Sequence, residues 1–168
     1  MKYAIGPDRE VFVIVGDGSY LMMHTELVTS LMEHQKIILV LFNSLGFNSI
    51  NNLSIGNGSD GFGNDLRERN PDTGLLDGAP VDIDFAANAR SYGCAAYTVN
   101  SMAELEEALQ SARNETKTTL IHVHVVKGTN SNGYNSWWRV GVAEVSAKPR
   151  VQAAYEDMQE KRKMARKY

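Results

Sequence analysis

Residues 10–47 read EVFVIVGDGSYLMMHTELVTSLMEHQKIILVLFNSLGF, and this stretch decides the fold. Glu10 to Val15 is a short apolar run that ends in Gly16-Asp17-Gly18-Ser19. A run of that size bounded by glycines suits a buried strand entering an abrupt turn. From Tyr20 to His34, Leu21, Val28, Leu31 and Met32 recur at helical spacing. Ile37 to Phe42 (IILVLF) is a second unbroken apolar run, as expected of a strand covered on both faces. The stretch therefore predicts a βαβ unit with a right-handed crossover.

In such a unit Asp17 and the pair Asn43-Ser44 lie at the carboxyl ends of neighbouring strands, the edge where open α/β sheets bind ligands. Gly18 and Ser19 open a helix, where backbone N–H groups favour an anion such as phosphate. A carboxylate and neutral oxygens beside a phosphate suit Mg²⁺, which shares its oxygen ligands with substrate phosphates. The competing reading is an ordinary βαβ turn whose Asp17 caps the helix.

GDGS, then 23 residues, then Asn43-Ser44 resembles the cofactor motif of thiamine diphosphate (ThDP) enzymes, GDG followed at a fixed interval by NN. The resemblance implies ThDP and Mg²⁺ as cofactors. It implies Asp17, Ser44 and the Gly46 carbonyl as metal ligands, and Gly16, Asp17, Gly18, Ser19, Ser44, Gly46 and Phe47 as the cofactor-binding group. Ser44 departs from the motif: its hydroxyl is a shorter and weaker ligand than an amide oxygen. Either the metal is held less tightly, or Asn43 adjusts to help.

The remaining chain extends this frame. At 168 residues with net charge −3 and 22% charged residues, it suits one substantial soluble core, without the basic stripe of a nucleic-acid binder. Its one cysteine, Cys94, excludes an internal disulfide and fits a reducing compartment. No apolar run reaches membrane-spanning length and no signal peptide is visible, so the expected location is cytoplasmic, with no membrane partner. Residues 1–9 read as a helix end and a turn. Residues 48–80 are polar and glycine-rich, and read as a lid, an interface loop or a plain surface loop. Their Gly56-Asn57-Gly58 and Gly61-Phe62-Gly63 spacing follows no strand, so a nucleotide loop is rejected. A nicotinamide site is disfavoured too, because GDGS lacks the GxGxxG spacing.

Asp82 is the expected N-cap of a helix ending at Gly93, with Phe85, Ala86, Ala89 and Tyr92 inward. A strand follows at Ala95 to Val99. Ser101 with Glu104 forms a capping box for a helix carrying Leu105, Ala108 and Leu109 inward. Thr118 to Val126 is the last strand. Its His122 and His124 share a face, as packed strand residues or as metal ligands; no cysteine or carboxylate at suitable spacing supports zinc. The order predicts an α/β fold: a parallel sheet with helices on both faces. The resemblance implies that residues 1–146 are a partial ThDP-binding (pyrophosphate) domain. A C-terminal amphipathic helix over 147–168 follows, with Val151, Ala154, Tyr155, Met158 and Arg162 on one side and a basic end, KRKMARKY. The adjacent Trp137 and Trp138 read as core or subunit interface.

The strings GDGSYLMMHTELVTSL, GFNSINNL and GYNSWWRVGVAEVS resemble one branch of the ThDP enzymes, over nearly the whole chain. In that branch a cyclic 1,2-dione is opened by hydrolytic C–C cleavage during bacterial myo-inositol breakdown. The resemblance implies a small-molecule cyclic dione as substrate and a homo-oligomer as the full enzyme. It also implies a pyrimidine-binding domain, or second subunit, carrying the activating glutamate, for which this chain shows no candidate. The chain is therefore expected to be a C-terminal fragment, a truncated product or one subunit of a split enzyme, and inactive alone. A non-catalytic module and a different ThDP enzyme, acetolactate synthase-like or decarboxylase-like, are the alternatives.

Overall fold

A computed structural model describes residues 2–6, 8–128 and 140–164. Trp137, Trp138 and the final residues 165–168 lie outside the described residues. The chain divides into two compact units, Met1–Gly46 with Asp82–Lys127, and Phe47–Val81 with Gly128–Tyr168.

The first unit holds the sheet. After a single turn of helix, α1 (Lys2–Ile5), come β1 (Phe12–Gly16), α2 (Asp17–Met23), α3 (Glu26–Met32) and β2 (Ile38–Asn43). The chain then enters the second unit, where it forms α4 (Asn48–Gly56). Back in the first unit follow α5 (Phe85–Ser91), β3 (Ala95–Val99), α6 (Met102–Asn114) and β4 (Thr119–His124). The strands run in the order β1-β2-β4-β3, all parallel. This is the expected α/β architecture, with helices on both faces. On one face Leu39, Leu41 and Leu120 pack with Tyr20, Leu27, Phe85 and Ala89 from α2, α3 and α5. On the other, Ile38, Val99 and Ile121 pack with Ala108 and Ala112 of α6. The period-two alternation of β2 and β4 thus feeds two cores, which is why both read as unbroken apolar runs.

Three local expectations are corrected. The helix read over residues 20–34 is two short helices. At His24 and Thr25 the backbone stays helical, but Leu27 N–H bonds to His24 O and Val28 N–H to Thr25 O, tightening one turn to i→i+3 spacing. Tyr20 and Leu27 are buried, Leu21 and Leu31 pack half-buried against the same core, and Val28 and Met32 are exposed. The N-cap of α5 is Asp84, whose carboxylate accepts from Ala87 N–H at 2.8 Å, and not Asp82. Gly93 (φ +101°) does terminate that helix, in a conformation side chains avoid.

At α6, Ser101 Oγ accepts from Glu104 N–H at 3.2 Å, and Glu104 returns a bond to Asn100 N–H at 2.8 Å, a capping box displaced by one residue. The far end of α6 is closed by Lys36, whose ammonium donates to Arg113 O at 2.8 Å and Glu115 O at 2.6 Å. A cation there complements the unpaired carbonyls and the helix dipole.

In the second unit, residues 48–80 are not all loop, which is the third correction: α4 opens the segment. Its inward residue is Asn51, while Ile50 and Ile55 are exposed, so hydrophobic periodicity did not betray it. Gly58 ends the turn after α4 at φ +83° and lies against the Arg150 backbone at the start of α7 (Pro149–Lys163). Val151 and Met158, seven residues apart, are the buried stripe of α7, and Arg162 is exposed.

Candidate functional site

Asp17 follows the last residue of β1, and Ser44 to Gly46 follow β2. Because β1 and β2 pair in parallel with Gly16 opposite Phe42, both turns emerge at the same sheet edge. There Asp17 is 1% exposed. Its Oδ2 accepts from Gly46 N–H at 2.7 Å and Ser44 N–H at 3.1 Å, and its Oδ1 accepts from Gly18 N–H at 2.8 Å. Backbone donors thus gather around one buried carboxylate, the arrangement that makes a buried anion tolerable. The Gly18 amide, read from sequence as a phosphate donor, is engaged by Asp17 itself.

Ser44 Oγ stands 3.5 Å from Asp17 Oδ1 and 3.3 Å from the Gly46 carbonyl oxygen. One hydroxyl proton cannot serve two acceptors well. The Ser44 hydroxyl thus stands between a carboxylate and a carbonyl oxygen, three oxygens of the kind a hard cation takes as ligands. Adjacent ligands of an octahedral Mg²⁺ with 2.0–2.1 Å bonds lie about 3 Å apart. The observed separations exceed that by a few tenths of an ångström, so this donor set fits the ion with a small inward movement.

The turn between Ser44 and Gly46 is conformationally unusual. Leu45 has φ +62° and Gly46 φ +142°. Only glycine adopts such values readily, so Leu45 needs support from its surroundings. Its N–H donates to Asn43 Oδ1 at 3.1 Å.

Gly16 and Ser19 flank the carboxylate but are exposed, as N-cap and early helical residue of α2. Phe47 begins the second unit, where its N–H bonds to Asn64 O at 2.7 Å. Asp82, Asn43 and His122 form a buried-to-rim cluster that sequence reasoning did not assemble. Asn43 Nδ2 donates to Asp82 Oδ1 at 3.2 Å and to His122 Nε2 at 3.0 Å. These residues are 39 and 79 positions apart, and only the strand order brings them together. His122 is buried; His124 is exposed, with the ring centroids 4.4 Å apart. Burial, and then the neighbouring His124, push the His122 pKa down, against the opposing pull of Asp82, Asp84 and Asp17. Among the described residues no group of three or more His, Cys, Asp and Glu side chains is arranged to hold a metal ion. The oxygens gathered at Asp17 are its carboxylate, the Ser44 hydroxyl and the Gly46 carbonyl. Among the same residues no helix is long and apolar enough to cross a membrane.

Comparison with known proteins places the chain in a family. A family model described as thiamine pyrophosphate enzyme, C-terminal TPP binding domain, matches residues 1–123. The chain is 52% identical, over 162 residues, to the 3D-(3,5/4)-trihydroxycyclohexane-1,2-dione hydrolases of Geobacillus thermodenitrificans (strain NG80-2) and Bacillus thuringiensis (strain Al Hakam). The same identity holds for that of Bacillus cereus (strain 03BB102). Each match covers 96% of this chain and 25% of the relative, so the chain spans about a quarter of the length of the relatives it matches. The chain therefore belongs to the thiamine pyrophosphate enzymes, as a carrier of their C-terminal TPP-binding domain.

Proposed function

We propose that this chain furnishes the metal- and diphosphate-holding part of a cytoplasmic ThDP enzyme that hydrolytically opens 3D-(3,5/4)-trihydroxycyclohexane-1,2-dione to 5-deoxy-glucuronate in inositol breakdown. The observation that carries the reading is the approach of Ser44 Oγ to Asp17 Oδ1 and to the Gly46 carbonyl oxygen, at 3.5 and 3.3 Å. The relatives' name supports the substrate.

Asp17, Ser44 and Gly46 would hold Mg²⁺, and the ion would in turn hold the diphosphate of the cofactor. When bound, ThDP supplies the electron sink that makes cleavage beside a carbonyl feasible. This chain's own contribution is positioning. Asp17 is held in place by three backbone N–H groups, so its carboxylate needs no reorganisation when the ion arrives. The turn of Leu45 directs the Gly46 carbonyl toward the same point. Groups outside this stretch, in a pyrimidine-binding domain or second subunit, complete the site in a homo-oligomer, and the 168-residue chain alone is expected to bind without turnover.

Calorimetric titration of the chain with ThDP in the presence of Mg²⁺ tests this, with Asp17→Ala as control. Saturable binding that disappears in D17A is expected. Absence of binding by the unsubstituted chain, or equal binding by D17A, would overturn the assignment.

A further inference from the structure

The Asn43 side chain joins the metal-site turn to the last strand of the sheet. It is 2% exposed and has three partners in the first unit. Leu45 N–H is a donor and needs the amide oxygen. The Asp82 carboxylate accepts and needs the amide NH₂. These two partners fix the amide's orientation, and the NH₂ group then faces His122 Nε2 at 3.0 Å. A donor facing a ring nitrogen requires a lone pair there. That leaves the ring proton of a neutral His122 on Nδ1, which is buried and has no hydrogen-bond partner among the described residues.

The ring has little freedom to choose otherwise. It is 2% exposed, edge-on to Phe85 at 5.4 Å and beside His124 at 4.4 Å. His122 sits in the middle of the ladder, opposite Leu41 on β2 and Thr98 on β3. By contrast Asp82, the other group on the Asn43 NH₂, is exposed at the rim. The rigid anchor of Asn43 is thus the histidine. What Asn43 anchors is Leu45, held at φ +62°, where a leucine does not rest unaided. The next residue, Gly46, offers its N–H to Asp17 and its carbonyl to the oxygen cluster.

We propose that His122 is a positioning residue for the metal-binding turn. Its Nε2 lone pair sets the Asn43 amide, Asn43 Oδ1 holds Leu45 in the left-handed conformation, and Leu45 aims the Gly46 carbonyl at the point shared with Asp17 and Ser44. The proposal rests on the metal reading given above, but its first two links concern the chain alone and are measurable without metal. His122 touches neither ion nor cofactor; it acts through Asn43.

The test combines nitrogen-detected histidine NMR, amide hydrogen exchange and Mn²⁺ titration on the full chain, with His122→Leu and His122→Gln. In the unsubstituted chain His122 is expected as the Nδ1-protonated tautomer; the Nε2-protonated form overturns the proposal. In H122L, exchange at Leu45 and Gly46 is expected to quicken at least tenfold and Mn²⁺ affinity to fall at least tenfold. H122Q, which can return an oxygen acceptor to Asn43, is expected to recover most of both. Unaltered exchange or unaltered Mn²⁺ affinity in a folded H122L overturns the positioning role while leaving the metal site standing. No Mn²⁺ uptake by the unsubstituted chain overturns the metal reading, and the tautomer and exchange results still decide the link from His122 to Leu45. Should H122L fail to fold, as circular dichroism would reveal, the tautomer and the behaviour of H122Q decide between the two outcomes.

Discussion

Gly46 donates its backbone N–H to Asp17 Oδ2 at 2.7 Å, tying the turn after β2 to the residue that follows β1. The bond makes Asp17 a structural acceptor as well as a candidate metal ligand, and two substitutions separate the roles. Asp17→Asn keeps one carbonyl oxygen for the turn and removes the charge. It is expected to stay folded and lose divalent-ion binding. Asp17→Ala strands buried donors, at about 1–3 kcal/mol for an unsatisfied group. Denaturant unfolding and Mn²⁺ titration of both variants check this; equal stability of D17A and the parent would contradict it.

Ser44 stands where the family motif has asparagine. Its hydroxyl reaches 3.3–3.5 Å from the other two oxygens, wider than an Mg²⁺ octahedron. The longer amide of Ser44→Asn is expected to tighten divalent-ion binding several-fold. Mn²⁺ binding followed by electron paramagnetic resonance measures it, and unchanged or weaker binding would show that Ser44 is already matched to this turn.

His122 sets an acid limit on stability. Burial and His124 lower its pKa in the folded state, despite the opposing carboxylates of Asp82, Asp84 and Asp17. Between the lowered folded value and the ordinary value near 6.5, the unfolded chain binds more protons. Stability contributed by neutral His122 is therefore complete above about pH 6.5 and is lost as the pH falls toward the folded-state value. Unfolding curves from about pH 7.5 to 5 should show this slope, and H122Q should flatten it. An identical slope in H122Q assigns the effect elsewhere.

Leu41 is fully buried at the centre of the sheet, packed with Leu39 and Leu120. Leu41→Ala is expected to destabilise the first unit by about 2–5 kcal/mol, through lost burial and an uncollapsed cavity. A shift of the chemical-denaturation midpoint below that range would mean that the neighbours close in.

Among the described residues β1 is an edge strand, and its Phe12 and Ile14 are 46% and 72% exposed on the same sheet face as Ile38, where α6 packs over β3 and β4. An unpaired apolar edge promotes association. Ile14→Lys is expected to reduce self-association, seen as a smaller weight-average mass in sedimentation velocity. No change would locate any association on another surface.

The strand-turn-helix-strand unit, the positions of Asp17 and Ser44, the helix stop at Gly93 and the α6 cap were legible in the linear chain. Other features were not. Asp82 and Asp84 stand two residues apart before the same helix, and both suit an N-cap. Only the fold draws Asp82 to Asn43 and leaves Asp84 to receive the Ala87 N–H. Likewise α4 turns Asn51 inward, so its apolar pattern carried no helical signal.

By itself the sequence determined the α/β class and the sheet edge that holds the candidate site. Apolar periodicity, glycine turns and caps act within a few residues, so local order records them. The tertiary structure alone decided the β1-β2-β4-β3 order, and with it the junction of Asn43, Asp82 and His122. Those side chains meet because parallel pairing seats β4 beside β2, and hydrogen bonds across 39 and 79 residues depend on where strands dock, which no local pattern encodes.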